Sequence, residues 1–153
     1  MKLTDHLTRP LVKVSLDATD KAQAITELVD LVAEQGMTDA RDLLLDAVVE
    51  REAQRTTGIG RGFAIPHAKC DAVRRLVIAF GRAAEPIDFA AVDGQPVNLI
   101  ALLASPANAT STHIQALAKL GRLVTNDKIL EGLLSATTSD EFYDIIAKND
   151  AEP

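Results

Sequence analysis

An α/β fold with helices packed on a central sheet is predicted by three observations. Both ends of the chain show helical periodicity, the middle is cut into short pieces by glycine and proline, and one apolar run suits a strand covered on both faces. From Asp20 to Gln35 the residues Ala22, Ile25, Leu28, Val29 and Val32 recur at helical spacing, and Gly36 stands where a left-handed helix stop falls. A second helix is expected from an N-cap at Thr38, with Ala40, Leu43, Leu44, Ala47 and Val48 as its buried stripe and an end near Arg51 to Gln54. Gly58, Gly60, Gly62, Pro66, Gly81, Pro86, Gly94 and Pro96 then punctuate a region of strands and turns. Within it, Leu76 to Phe80 reads as one strand, and Val97 to Leu103, apolar except for Asn98, reads as another with both faces buried. Three helices follow. They start near Thr110 to Thr112, near Asn126, and at a capping box formed by Thr138 and Glu141 ahead of Phe142, Ile145 and Ile146.

Size and charge narrow the function. A chain of 153 residues, 47% of them hydrophobic, fits one domain over residues 1–153 and leaves no room for a second. The formal net charge of -6, with arginines scattered except at Arg74-Arg75, argues against nucleic acid as a partner. No apolar run approaches the roughly 18 residues of a membrane span, and the polar start at Met1-Lys2-Leu3-Thr4-Asp5 is unlike a signal peptide. The protein is therefore expected in the cytoplasm and not embedded in a membrane. A lone Cys70 permits no internal disulfide and fits a reducing compartment. The tail from Lys148 to Pro153 reads as frayed by composition.

Candidate chemistry gathers between Thr56 and Lys69, where Gly58, Gly60 and Gly62 alternate and let main chain approach a ligand closely. The order matches neither a P-loop nor a dinucleotide fingerprint, and a plain turn explains it equally well. His67, directly after Pro66, has a restricted backbone and an imidazole that is a competent nucleophile near neutral pH; a turn histidine without a role is the bland alternative. Arg51 follows Leu44 by seven positions and Ala40 by eleven, which continues the buried stripe and calls for an anionic partner. It could equally snorkel to solvent or pair with Glu50 or Glu52. His113 shares a stripe with Leu117, Leu120 and Val124 in the first turn of a helix, where N–H groups and the dipole favour an anion. A buried histidine bonded to a carbonyl is the simpler reading there. Zinc held by His67, Cys70 and His113 lacks an obvious fourth His or Cys and is set aside, so no metal or cofactor is expected. Serine hydrolase chemistry is weaker still, since no Gly-x-Ser-x-Gly occurs.

The segment Arg51-Glu52-x-x-x-Thr56-Thr57-Gly58-Ile59-Gly60-x-Gly62-x-Ala64-Ile65-Pro66-His67 resembles the signature of enzyme IIA domains of the fructose/mannitol class in the bacterial phosphoenolpyruvate-dependent phosphotransferase system. A second block, Pro86-Ile87-Asp88-Phe89 through Asp93-Gly94-Gln95-Pro96-Val97 and on to Ala101-Leu102-Leu103 and Thr112-His113, resembles the nitrogen-related branch of that family. The likeness spans residues 3 to 147. It implies a mixed sheet with helices on both sides, and His67 as the residue phosphorylated, on its ε2 nitrogen, by a histidine phosphocarrier protein. It also implies His113 and Arg51 as companions in the active site. With that role, Arg51, His113 and the N–H groups around Gly58, Gly60 and Gly62 are expected to hold the phosphoryl oxygens. The chain departs from the commonest pattern at Ala68, where glycine often follows the histidine, and at Arg61, where other members carry Asn or an acid. Two roles fit such a phosphotransferase. One is a regulatory phosphoprotein of the nitrogen-related system acting on target proteins; the other is a transport enzyme IIA relaying phosphate to a fructose- or mannitol-type enzyme IIB. The nitrogen-branch likeness, and a chain with no fused IIB, IIC or phosphocarrier segment, favour regulation.

Overall fold

Six strands form one mixed sheet in the computed structural model, which describes residues 1–150. Strand β1 (Val12–Leu16) lies parallel to β5 (Val77–Ile87), and β5 runs antiparallel to β6 (Val97–Ser105) from the Val77–Ala104 pair to the Ile87–Val97 pair. Along the other edge of β6 lie β3 (Phe63–Ala64), opposite Leu99 and Ile100, and β4 (His67–Lys69), opposite Leu103 to Ser105, both parallel to it. Strand β2 (Gly58–Gly60) closes the sheet against β3. Helices α1 (Lys21–Glu34), α2 (Arg41–Gln54), α3 (Thr110–Leu123), α4 (Asp127–Ser135) and α5 (Ser139–Lys148) cover both faces. Aromatic residues are few, but three of them lock the core: Phe63 stacks on Phe80 with ring centroids 5.6 Å apart, and Phe142 meets Phe80 edge-on at 5.0 Å. Among the described residues no helix is long and apolar enough to cross a membrane.

Helix α1 matches its sequence reading. Asp20 caps it by accepting from the Gln23 N–H, and Gly36 takes a φ of +71° just past its end; Ala24 rather than Ala22 joins the buried stripe. Helix α2 begins two residues later than an N-cap at Thr38 would place it. The Thr38 hydroxyl donates to the Ala72 carbonyl at 2.5 Å and accepts from the Ala40 N–H, so it tethers the loop to a distant segment instead of capping the helix. Its buried stripe runs through Leu44, Val48 and Glu52, and Leu43 is 55% exposed. The first helical turn of α5 is capped by Thr138, but the Glu141 carboxylate reaches the Thr137 N–H and hydroxyl, one residue before a true capping box. Strand β1 has no counterpart in the sequence reading, and both long strands run past their expected ends. The frayed tail is corrected as well: Lys148 ends α5, and Asp150 is buried, its carboxylate accepting from the Leu3 and Thr4 N–H groups at 2.9 Å each. Residues 151–153, the rest of that expectation, lie outside the described residues.

Candidate active site

Parallel pairing of β4 with β6 sets His67 opposite Leu103, half-buried at the edge of the sheet. Its Nδ1 lies 2.7 Å from the Ile65 carbonyl oxygen. A carbonyl can only accept, so Nδ1 carries the proton and donates, and the Nε2 lone pair is left free. Burial holds the His67 pKa below its ordinary 6.5; the Ile65 bond opposes this, the nearby Arg51 charge reinforces it, and Glu52 acts weakly against it.

His113 comes in from α3, buried at 5% exposure, with its ring centroid 5.3 Å from that of His67 and the planes tilted by 59°. Its Nδ1 sits 2.7 Å from the hydroxyl of Ser105, the last residue of β6. Burial, with smaller contributions from His67 and Lys69, lowers its pKa to about 4. Because the unfolded chain binds a proton near pH 6.5 and the folded ring does not, the native state is favoured above that value and loses this advantage as pH falls toward 4. Thermal unfolding measured from pH 7.5 to 4 should show a falling Tm, and His113→Gln should flatten that slope.

Arg51, in the last turn of α2, is half-buried rather than on the buried stripe. One guanidinium N–H donates to the Arg55 carbonyl at 3.1 Å, and Arg51 makes no ion pair among the described residues. Its side chain borders an open hollow of about 450 Å³ shared with Gln54, His67, Lys69 and His113. A smaller hollow of about 330 Å³, also bordered by Arg51 and His67, is lined by Gly58 and Ile59.

The position on the stripe that Arg51 was expected to take belongs to Glu52. Its carboxylate accepts from the Thr57 N–H at 2.9 Å, the Thr57 hydroxyl at 2.5 Å and the Lys21 ammonium at 2.9 Å, which fixes the path of the chain from α2 into β2. Spacing held the signal, since Glu52 follows Val48 by four residues, as Val48 follows Leu44.

The three glycines separate. Gly58 borders the smaller hollow, and a Cβ there would lie 2.8 Å from the Ala91 Cβ; its N–H is taken by the Thr56 hydroxyl. Gly60 and Gly62 have φ of +102° and +75° and form the tip between β2 and β3, against Asp93 and Asn98. Arg61, between them, binds Asp93 through its N–H and Asp127 through its guanidinium. Ala68 is buried within β4, and Cys70 is half-buried with its N–H on the Ser105 carbonyl. Among the described residues no three His, Cys, Asp or Glu side chains stand close enough to share a metal ion.

A family model described as "Phosphoenolpyruvate-dependent sugar phosphotransferase system, EIIA 2" matches residues 5–149, and the chain belongs to this family of phosphotransferase-system domains. Over 151 residues it is 41% identical to the "PTS system fructose-specific EIIA component" of Haloferax volcanii, covering 97% of this chain and 98% of that one. It is 37% identical to the "PTS system fructose-specific EIIABC component" of Bacillus subtilis, where 98% of this chain spans only 24% of the relative's length. The crystal structure of nitrogen regulatory protein IIA-Ntr from Neisseria meningitidis superposes with a TM-score of 0.86 at 30% identity, covering 93% of this chain and 97% of that one.

Proposed function

We propose that this protein is a cytoplasmic phosphoryl carrier, one EIIA domain over residues 1–153, which receives a phosphoryl group on Nε2 of His67 from a histidine phosphocarrier protein. The observation that carries this reading is the Ile65 carbonyl, which holds the proton on Nδ1 and so frees the Nε2 lone pair. The Nε2–P bond forms as the donor's N–P bond breaks. His67 keeps its Nδ1 proton throughout, and the donor ring, protonated on its other nitrogen, leaves as a neutral imidazole. The positive charge gained by the His67 ring is met by the same Ile65 carbonyl. Arg51 and His113, bordering the same hollow, meet the charge on the equatorial oxygens.

The consequence in the cell is regulatory: nearly two added negative charges beside Arg51 change which target protein the surface accepts. The 41% identity to a fructose-specific EIIA component of matching length favours a second reading, relay to a sugar-specific enzyme IIB. Incubation with enzyme I, phosphocarrier protein and phosphoenolpyruvate, followed by mass spectrometry under alkaline conditions, tests the carrier role, and failure to gain a phosphoryl group on His67 ends it. Adding a fructose-type enzyme IIB then separates the two outputs, since only a relay loses its label to that protein.

Arg51→Lys keeps the charge but loses the planar fork. Transfer should slow by about tenfold or more, the scale of one charge-assisted hydrogen bond of roughly 1.5–3 kcal/mol. Tm should barely move, because Arg51 is half-buried and without an ion pair. Single-turnover transfer and thermal unfolding of this variant check both halves.

A further inference from the structure

We propose that Ser105 is a positioning residue: its hydroxyl donates to Nδ1 of His113 and fixes that ring with its proton on Nε2. The inference rests on the carrier role above, but it concerns an atom that the role does not specify.

Ser105 is 0% exposed, at the end of β6, with its Oγ 2.7 Å from His113 Nδ1. Distance alone allows either partner to donate. The surroundings decide between them. Among the described residues the Ser105 hydroxyl has no other hydrogen-bond partner, and no buried side-chain nitrogen or oxygen is left unsatisfied. If Nδ1 held the proton, the hydroxyl hydrogen would be left with no acceptor in a site closed to water, which buried donors avoid. The hydroxyl must therefore donate, Nδ1 must accept, and the single proton of the neutral ring must sit on Nε2. The ring stays neutral because burial lowers its pKa to about 4.

His67 and His113 are then set in opposite tautomers by two different partners. The Ile65 carbonyl pulls the His67 proton to Nδ1 and bares Nε2, and the Ser105 hydroxyl bares Nδ1 of His113 and leaves Nε2–H. One ring offers a lone pair and its neighbour, 5.3 Å away by centroid, offers an N–H. This is the complement a phosphoryl group needs: a nitrogen to bond phosphorus and a donor to an oxygen. In the reverse tautomer the Nε2 lone pair of His113 would repel those oxygens.

The test is long-range ¹H–¹⁵N correlation of the histidine rings at pH 7.5, in the wild type and in Ser105→Ala, with single-turnover transfer from the phosphorylated phosphocarrier protein measured on both. The wild-type His113 should show the Nε2–H pattern. Ser105→Ala should admit the Nδ1–H form and transfer about tenfold more slowly, the upper end of what losing one neutral hydrogen bond costs. Ser105→Thr, which keeps a hydroxyl, should restore the tautomer and most of the rate; its Tm shows whether the added methyl fits. A wild-type ring in the Nδ1–H form overturns the proposal, as does an Nε2–H ring that persists in Ser105→Ala. A shifted tautomer with an unchanged rate overturns the positioning role. Should the wild type accept no phosphoryl group, the carrier reading fails while the tautomer assignment is still decided by the spectra.

Discussion

His67→Ala is expected to yield a folded protein that gains no phosphoryl group from the phosphocarrier protein. The side chain contributes little to the fold: it is half-buried at the end of the sheet, and its one hydrogen bond, to Ile65, lies within its own segment. Alanine fits β4, which keeps its pairing to β6 through main chain. Its removal also lets burial of the neighbouring ring relax, so Tm should shift by only a few degrees, about what 0.5–1 kcal/mol produces in a domain of this size. Transfer, by contrast, loses the only atom that bonds phosphorus. Intact-mass spectra after incubation with the complete donor system check the first half, and thermal unfolding the second. A phosphohistidine on the variant would move the acceptor elsewhere.

His113→Ala should slow single-turnover transfer by about 10² to 10³, the scale set by losing one preorganised donor at a site of developing charge. Its placement supports a loss of that size, because the ring lies beside His67 and the Ser105 hydroxyl orients its free N–H before the donor arrives. The variant should also unfold at lower temperature, since the ring is 5% exposed and its loss leaves a void and orphans the Ser105 hydroxyl. Rate and stability thus fall together here, whereas in His67→Ala transfer is lost with only a small shift in Tm. If transfer by His113→Ala matches the wild type at a temperature where both are folded, the ring is structural.

Periodicity carried the helices well, because α1, α3 and α5 bury one stripe each and their caps at Asp20 and Thr138 are ordinary polar side chains close in sequence. It failed where a distant segment decided the outcome. Thr38 has the chemistry of a cap, but the Ala72 carbonyl, 34 residues away, claims its hydroxyl. Strand β1 is five residues with Lys13 and Ser15 among them, and only its parallel partner β5 makes it a strand. Around the site, the motif residues His67, His113 and Arg51 do stand together about one hollow. Two others are less legible. The sequence offers Glu52 only as a possible partner for Arg51, whereas Thr57 and Lys21 surround its carboxylate on the buried stripe. Ser105 lies past the Leu103 end that the apolar run predicts, and only the return of α3 brings His113 to its hydroxyl. Gly60 and Gly62 show the reverse case, in which positive φ at a hairpin tip accounts for glycine without any anion.

The buried carboxylate of Asp150 lies against the first residues described. It grips the Leu3 and Thr4 amides, and Lys119 of α3 binds both it and the Met1 carbonyl, so residues 1–4 and Asp150 sit side by side. A unit in which those two segments lie together can sit within a longer polypeptide through neighbouring joints, without stretching either linker across its surface. That geometry suits a unit that recurs as a quarter of the length of the Bacillus subtilis relative and as nearly the whole of the Haloferax volcanii one.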